Sequence, residues 1–200
     1  MLVGDPQQLS ATVFSRTSGL SLYERSLFER IEACGHPVHM LRTQYRSHPL
    51  ISEFPRHYFY DGKLQDGDNV KSQQYDRPYH HLGPAFAPLV FWNLLSSRET
   101  TRSVSRLNVG EAQLAVNLFL TLKNSCPPDT VSGKLGMITP YSQQMEELRK
   151  RFREELGERY DQEVEINTVD GFQGREKDII ICTWVSDAYS KHADSIWFVS

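Results

Sequence analysis

The 200-residue sequence lacks any long apolar run, and its first residues lack the charged and apolar pattern of a secretory signal. None of its apolar stretches approaches the roughly 18 residues that would predict a membrane span. Cysteine is also scarce, since Cys34, Cys126 and Cys182 stand far apart and form no C-x-x-C pair. Isolated cysteines are typical of a reducing compartment. We therefore expect an intracellular protein, nuclear or cytoplasmic, without membrane contact.

Several common catalytic signatures are missing. No G-x-x-x-x-G-K-[ST] loop occurs, because Leu follows both Gly-Lys pairs, and no G-x-S-x-G element supports nucleophilic hydrolysis. His36, His39, His80 and His81 lack a second set of ligands at zinc spacing, so we interpret them as solvated or hydrogen-bonded side chains. The sequence predicts no metal site, and the lack of clustered carboxylates disfavours a metal-dependent nuclease or hydrolase.

An excess of positive charge is also absent. The chain has 22 Lys and Arg against 25 Asp and Glu, which gives a net charge of -3 at pH 7. Any nucleic-acid site must therefore be local rather than a property of the whole surface. The hydrophobic share of 39% in 200 residues is enough for one sizeable core, and a single domain with an appendage is expected.

Segments of helical and strand character alternate along the chain. Helices are predicted over residues 22–34, 49–59, 109–124 and 143–157, and strands over residues 38–41, 88–95, 134–141, 164–169 and 178–185. Residues 61–88 and 96–108 are predicted to be irregular. This alternation indicates right-handed βαβ units and an α/β fold around a mainly parallel sheet.

Four polar segments fall at predicted strand ends: GDPQQL, RTQYRSHP, TPYSQQ and TVDGFQGRE. Ligands of parallel sheets bind outside the carboxyl ends of the strands, so these segments should form one rim. The rim would contain Gln8, Gln44, Tyr45, Arg46, Thr139, Tyr141, Asp170, Gln173 and Glu176. An aromatic ring beside an Arg suits a nucleotide, because a base stacks on Tyr45 and a phosphate pairs with Arg46.

Each segment also has a simpler interpretation when it is considered alone. Gly171 and Gly174 could form an ordinary tight turn between two strands. Tyr45 could be a half-buried ring, and Pro140 could merely end a strand. Only the occurrence of all four segments together favours the functional interpretation.

The segments GDPQQL, LRTQYRSHP, GMITPYSQQ and INTVDGFQGREKDIII resemble, in this order, motif III, motif IV, a nucleic-acid-contacting motif and motif V of superfamily 1 helicases. The branch that they resemble is the 5′-to-3′ group with senataxin and the nonsense-mediated decay helicase. The resemblance implies a RecA-like domain of the P-loop NTPase type, with helices on both faces of a mainly parallel sheet. It implies that residues 1–36 end a first RecA-like domain and its connecting helix, and that residues 37–200 form the second, ending before the final motif.

The same resemblance implies roles at an ATP site. Gln8 would sense the γ-phosphate, Tyr45 would pack on the adenine, and Arg46 would be an arginine finger for the transferring phosphoryl group. Gly174 and Glu176 would face the nucleotide. The sugar-phosphate backbone of single-stranded RNA or DNA would lie on six residues after two strands: Thr139, Pro140, Tyr141, Thr168, Val169 and Asp170.

The resemblance also implies ATP and Mg²⁺ as cofactors, with the Mg²⁺ ligands in an N-terminal part that this sequence does not include. Both ends cut through strand-like sequence, so a piece of a longer protein is expected, and its missing first RecA-like domain is the expected partner. The chain alone is then expected to be inactive as an ATPase. The alternative that stays open is a catalytically dead nucleic-acid-binding or scaffold module.

Overall fold

The computed structural model describes residues 2–9, 13, 25–71, 75–94, 97–102, 105–185 and 196–199. Its strands are β1 (Thr43–Gln44), β2 (Gln65–Asp66), β3 (Leu89–Trp92), β4 (Glu99–Arg102), β5 (Ser105–Asn108), β6 (Leu135–Thr139), β7 (Val164–Thr168), β8 (Ile179–Thr183) and β9 (Ile196–Val199). Its α-helices are α1 (Leu27–Ala33), α2 (Pro49–Phe59), α3 (Asp68–Lys71), α4 (Val109–Ser125), α5 (Pro128–Val131), α6 (Ser142–Leu156) and α7 (Val169–Phe172). Short 3-10 helices cover Pro78–Leu82, Pro84–Phe86 and Tyr160–Gln162.

Five strands form the central sheet in the order β3-β9-β8-β6-β7. Strand β6 pairs in parallel with β7 and β8, whereas β9 runs antiparallel to both β8 and β3. Helix α6 lies between β6 and β7 in the chain, because neighbouring parallel strands require a crossover connection. The predicted α/β fold with a mainly parallel sheet is therefore confirmed.

The main core lies between one face of the sheet and helices α4 and α6. The predicted apolar stripe of α4 is completely buried: Ala112, Ala115, Val116, Phe119 and Leu122. From α6, the ring of Phe152 packs edge-on against that of Phe119, with 5.2 Å between centroids. Burying each large apolar side chain stabilises the fold by about 1.5–3 kcal/mol, so this layer fixes both helices on the sheet.

The opposite face of the sheet receives the short helix α7 at a glycine. A Cβ atom at Gly136 would lie 2.9 Å from the Phe172 ring and 3.0 Å from the Ile180 side chain. Side chains alternate between faces along a strand, so Gly136 points away from the core that its neighbours Leu135 and Met137 enter. The glycine thus lets Phe172 rest directly on β6, and helices flank both faces.

Two local predictions are wrong. Residues 38–41 are not a strand, and Val38 and Leu41 are 65% and 84% exposed; the strand begins at Thr43 and has two residues. Residues 96–108 are not a simple loop, because β4 and β5 form an antiparallel hairpin. The hairpin docks on α6, where Ser105 Oγ accepts a hydrogen bond from the Gln143 backbone N–H (3.2 Å). Because Gln143 is distant from the hairpin in the sequence, residues 96–108 alone do not indicate that they form one.

The other element predictions vary in accuracy. Helix α2 has the predicted bounds, and α4 and α6 differ from theirs by one residue. Helix α1 begins at Leu27, where Ser26 and Glu29 form a capping box, while the predicted start at residue 22 lies outside the described residues. The segment 61–88 contains β2, α3 and two 3-10 helices rather than irregular chain alone. None of the helices in the described part of the chain is long and apolar enough to cross a membrane.

Candidate functional site

A cleft of about 1430 Å³ opens between the loop after β1 and the sheet face that carries α7. Ile138, Phe172 and Ile180 contribute apolar surface to it. The polar and aromatic side chains that border it include Gln8, Tyr45, Arg46, Tyr75, Arg77 and Glu176. The structure therefore brings together residues from three of the four polar segments. Three residues from the segment that was predicted to be irregular, Asn69, Tyr75 and Arg77, also line the cleft.

Gln44 fixes the loop that carries Tyr45 and Arg46. Its Oε1 accepts hydrogen bonds from the backbone N–H groups of Arg46 (2.9 Å) and Ser47 (2.8 Å). Its Nε2 donates to the Ser47 carbonyl (2.7 Å) and to Asp66 Oδ1 (2.7 Å). Gln44 was expected on the ligand-binding rim, but its amide is committed to the fold, and it holds the two residues that follow it.

Arg46 and Glu176 form an ion pair in this cleft, with 2.6 Å between Nε and Oε2. Their side chains are 73% and 66% exposed, so water screens the pair and its contribution to stability is at most about 1 kcal/mol. An incoming phosphate could therefore take the place of the carboxylate at little cost. The pair joins the segment after β1 to the segment after α7.

The ring of Tyr45 lies over Gly67 and remains 65% exposed. A Cβ atom at Gly67 would come within 2.6 Å of Tyr45 Cε1, so only glycine leaves room for the ring there. Asn69 Nδ2 donates a hydrogen bond to the Tyr45 carbonyl (2.8 Å), which anchors the backbone beneath the ring. An exposed ring with a fixed backbone is suited to stacking on a planar ligand.

Gln8 lies at the edge of the cleft in a turn organised by Asp5. The Gln8 backbone N–H donates to the Asp5 carbonyl (3.2 Å), and Gln8 Nε2 donates to Asp5 Oδ2 (3.3 Å). The Tyr60 hydroxyl also donates to Asp5 Oδ2 (2.6 Å). Burial, followed by this hydrogen bond to Asp5, raises the pKa of Tyr60 to about 12. Gln173 Nε2 donates to the Leu9 carbonyl (3.1 Å) and so ties this turn to the segment after α7.

A sharp turn at Gly174 leads from α7 to Glu176. Gly174 has a φ of +78°, a left-handed conformation that glycine adopts without strain. The next two basic residues hold the turn against β7, since Arg175 pairs with Glu165 and Lys177 Nζ lies 3.3 Å from Glu165 Oε2. Burial opposes ionisation of Glu165, but its hydrogen bonds from Arg175 and Lys177 lower its pKa overall.

The six residues expected on nucleic acid follow two adjacent strands, because Thr139 and Thr168 are register partners at the ends of β6 and β7. Thr139 is completely buried, and its Oγ1 accepts a hydrogen bond from the Tyr141 backbone N–H (3.4 Å). Thr168 Oγ1 caps α7 by accepting from the Gly171 N–H (3.2 Å). Pro140 and Asp170 are exposed here, whereas Tyr141 and Val169 are partly buried.

The described residues contain no group of three or more His, Cys, Asp or Glu side chains that could hold a metal ion. The two carboxylates that line the cleft are already engaged, Glu176 by Arg46 at 2.6 Å and Asp178 by Lys134 at 3.9 Å. His80 Nδ1 and His81 Nε2 are both engaged by Asp76, at 3.2 Å and 2.7 Å. The described residues therefore do not fit a Mg²⁺ site.

Sequence reasoning missed three residues of this site. The Tyr75 hydroxyl donates to the Arg46 carbonyl, and the Arg77 guanidinium lies over the Tyr75 ring, 5.3 Å from its centroid. Asp66 accepts the hydrogen bond of Gln44 described above. All three come from residues 61–88, which show no helical or strand period, so only the interleaving of Tyr and Arg gave a signal.

A second, smaller cavity of about 380 Å³ lies beside α6 and β7. Three arginines border it, but each has an acidic partner: Arg149 with Glu146, Arg153 with Glu158, and Arg175 with Glu165. The cavity therefore offers little uncompensated positive charge.

Comparisons with known proteins agree with the motifs. The family model described as an AAA domain matches residues 23–199. The chain is 41% identical over 187 residues to the probable helicase MAGATAMA 3 of Arabidopsis thaliana, covering 92% of the chain and 23% of that relative. It is 40% identical over 195 residues to helicase sen1 of Schizosaccharomyces pombe, covering 96% and 11%. It is 35% identical over 191 residues to ATP-dependent helicase upf1 of the same yeast, covering 92% and 20%. The chain thus spans less than a quarter of each relative.

Proposed function

We propose that this chain, which belongs to the AAA-domain family and to the superfamily 1 helicases of the Sen1 and Upf1 branch, is the C-terminal RecA-like half of an ATP-dependent helicase. In this proposal residues 1–36 end the first RecA-like domain and residues 37–200 form the second. The observation that carries it is the meeting of Arg46 and Glu176, from two separate motifs, in the cleft bordered by Tyr45.

The cleft receives ATP with the adenine on the exposed ring of Tyr45 and the phosphates toward Arg46. Arg46 leaves Glu176 and pairs with the γ-phosphate, an exchange that the high exposure of both side chains makes inexpensive. Gln8, from the turn held by Asp5, meets the same phosphate. Glu176, placed by the turn at Gly174, faces the nucleotide.

Arg46 contributes to the rate rather than only to binding. Charge spreads over the equatorial oxygens of the transferring phosphoryl group, and a fixed guanidinium stabilises that charge. An arginine in this role increases the rate by about 10³–10⁵-fold. In this proposal Mg²⁺ would neutralise phosphate charge in the complete enzyme and would be held by ligands of the first RecA-like domain.

Single-stranded RNA or DNA crosses the ends of β6 and β7. Pro140, Tyr141, Val169 and Asp170 lie at this edge. The backbone N–H groups of Val169 and Asp170 can donate hydrogen bonds to phosphate oxygens, and the Tyr141 ring contacts a base. The hydroxyl groups of Thr139 and Thr168 hold the backbone of this edge by accepting hydrogen bonds from the Tyr141 and Gly171 N–H groups. Binding of phosphates through backbone N–H groups needs no large positive charge, so it is compatible with the net charge of -3. The enzyme in this proposal is nuclear or cytoplasmic.

The test is ATPase activity with and without single-stranded RNA, measured on this chain and on a version extended with the neighbouring in-frame sequence. We expect turnover only in the extended version, and Arg46→Ala should abolish it without loss of folding. Arg153→Ala is the matched control, because Arg153 is also an exposed arginine paired with a glutamate, at 3.2 Å from Glu158.

Two results would contradict the proposal. One is an Arg46→Ala variant of the extended protein that turns over ATP at the unaltered rate. The other is an extended protein without ATPase activity that still binds single strands through Tyr141, which would instead establish the catalytically dead binding module.

A further inference from the structure

Asp66 is a buried carboxylate next to the cleft but outside every recognised motif. It is 8% exposed, and its Oδ1 accepts hydrogen bonds from Ser52 Oγ (2.6 Å) and Gln44 Nε2 (2.7 Å). Its Oδ2 forms an ion pair with Arg56. A buried charge is tolerated only when it is paired and hydrogen-bonded in this way. These contacts, from β1 and α2, leave the carboxylate one orientation.

The orientation of Asp66 decides the orientation of the Gln44 amide. A carboxylate accepts hydrogen bonds but cannot donate them, so it must face the Gln44 Nε2 group rather than the Oε1 atom. The Oε1 atom is then directed to the backbone N–H groups of Arg46 and Ser47. If the amide were turned over, its N–H groups would face two other N–H groups and both hydrogen bonds would be lost.

The backbone pairing of this region is too short to fix the loop by itself. Strands β1 and β2 pair over two residues each, with Gln44 opposite Asp66. A two-stranded pair of this length has marginal stability in water. The hydrogen bonds from Asp66 through the Gln44 amide to the Arg46 N–H therefore restrain the Arg46 backbone, together with the hydrogen bonds that Tyr75 and Asn69 donate to the Arg46 and Tyr45 carbonyls.

From this geometry we propose that Asp66 is a positioning residue for Arg46, acting through the Gln44 amide. The inference rests on the proposed role of Arg46 at the phosphates. Asp66 itself touches no ligand; it keeps the loop after β1 in one conformation, so that the guanidinium of Arg46 starts from a fixed backbone. The following residue, Gly67, makes room for the Tyr45 ring, so the end of β2 and the residue after it support both nucleotide-facing residues.

The first measurement is hydrogen exchange of the Arg46 and Ser47 amides in this chain. Asp66→Asn places an amide N–H against donors and removes the charge opposite Arg56, so both amides should exchange about tenfold faster or more. Glu111→Gln is the matched control. Glu111, in α4, is also a buried carboxylate, and it accepts a hydrogen bond from the Val185 N–H (3.1 Å). This variant should leave the Arg46 and Ser47 amides at the wild-type rate relative to the rest of the chain.

Exchanging the amide of Gln44 and the carboxylate of Asp66 between the two positions separates a positioning effect from a general loss of stability. Gln44→Glu alone faces Asp66 with a second carboxylate and should also speed exchange of the two amides. Combining Gln44→Glu with Asp66→Asn restores one donor and one acceptor between the side chains, and an oxygen of the introduced carboxylate can still accept from the Arg46 and Ser47 N–H groups. The double variant should therefore recover part of the amide protection that each single variant loses, although the Ser47 carbonyl still lacks the donor that Gln44 Nε2 supplies.

The second measurement is ATPase kinetics in the extended protein. Asp66→Asn should lower kcat by about tenfold to a hundredfold, with a smaller change in KM for ATP, because misplacing Arg46 affects mainly the transition state. Unchanged exchange at Arg46 and Ser47 in Asp66→Asn, or a double variant no better than the singles, would overturn the inference whatever the activity. Faster exchange together with an Arg46→Ala variant of normal kcat would instead overturn the proposed function and leave the structural link intact.

Discussion

Arg46 and Glu176 form an ion pair with 2.6 Å between Nε and Oε2, although 130 residue positions (46 to 176) separate them in the chain. Neither side chain is buried, so the pair does not hold the fold together; the fold brings the two residues to one place. The loop of Arg46 is set by Gln44 and Asp66, and the turn of Glu176 is set by Gly174. A contact that contributes little to stability is free to be exchanged for a ligand contact.

Glu176→Gln should therefore change the free energy of unfolding by less than about 1 kcal/mol. The buried pair next to it should behave differently, because Asp66→Asn leaves the Arg56 charge without its partner and should cost roughly 3 kcal/mol. Urea denaturation of the two variants, followed by circular dichroism, measures both values. A large loss in Glu176→Gln would mean that the exposed pair is structural after all.

Gly67→Ala should weaken ATP binding while leaving the fold intact. The added methyl group would lie 2.6 Å from Tyr45 Cε1, and the exposed Tyr45 ring can move away without disturbing the core. Loss of a stacking platform costs about 1–3 kcal/mol, which corresponds to roughly tenfold or more in Kd. Isothermal titration with ATP should show the weaker Kd in Gly67→Ala and in Tyr45→Ala. Tyr58→Ala, which removes another exposed tyrosine, should bind as the wild type does.

Tyr141→Ala should weaken the binding of single-stranded RNA or DNA at the ends of β6 and β7. Loss of one aromatic contact to a base costs about 1–3 kcal/mol, and Tyr141→Phe should retain most of the affinity. Fluorescence anisotropy with a labelled oligonucleotide measures the difference. Tyr160→Ala, which removes a tyrosine from the smaller cavity beside α6, serves as the control. Equal losses in Tyr141→Ala and Tyr160→Ala would argue against a strand-end grip.

Stability at alkaline pH should depend on Tyr60. Its folded pKa is raised to about 12 from an ordinary value of 10.0, so the folded state retains a proton that the unfolded chain releases. The stabilisation is therefore fully present below pH 10 and is lost as the pH rises from 10 toward 12. Tyr60→Phe should remove this part of the pH dependence. Urea midpoints measured across that range, with Tyr58→Phe as the control, compare the two slopes.

The prediction from sequence succeeded where residues repeat with a period. The α4 stripe of Ala112, Val116 and Phe119 is buried as its spacing indicated, and α2 runs from Pro49 to Phe59 as expected. It failed where structure depends on a distant partner. The hairpin of β4 and β5 relies on hydrogen bonds to Gln143 and Gln144 of α6, and nothing within residues 96–108 indicates that contact.

The candidate site divides in the same way. Its residue types could be read from four polar segments, but only TPYSQQ and TVDGFQGRE follow strands of the central sheet, β6 and β7, as the prediction required. The partners of those residues could not be read. Gln44 was expected to face a ligand but turns inward to Asp66, and Thr139 was expected on nucleic acid but is completely buried.

The sequence by itself determined the α/β class, the helicase family and the residues that carry its motifs, since these follow from period, composition and short patterns. Only the tertiary structure decided that Arg46 pairs with Glu176, that Gly67 makes room for Tyr45 and that Asp66 orients Gln44. These relationships depend on distances between segments that are far apart in the chain. Such distances are fixed by packing of the whole core, which no local pattern records.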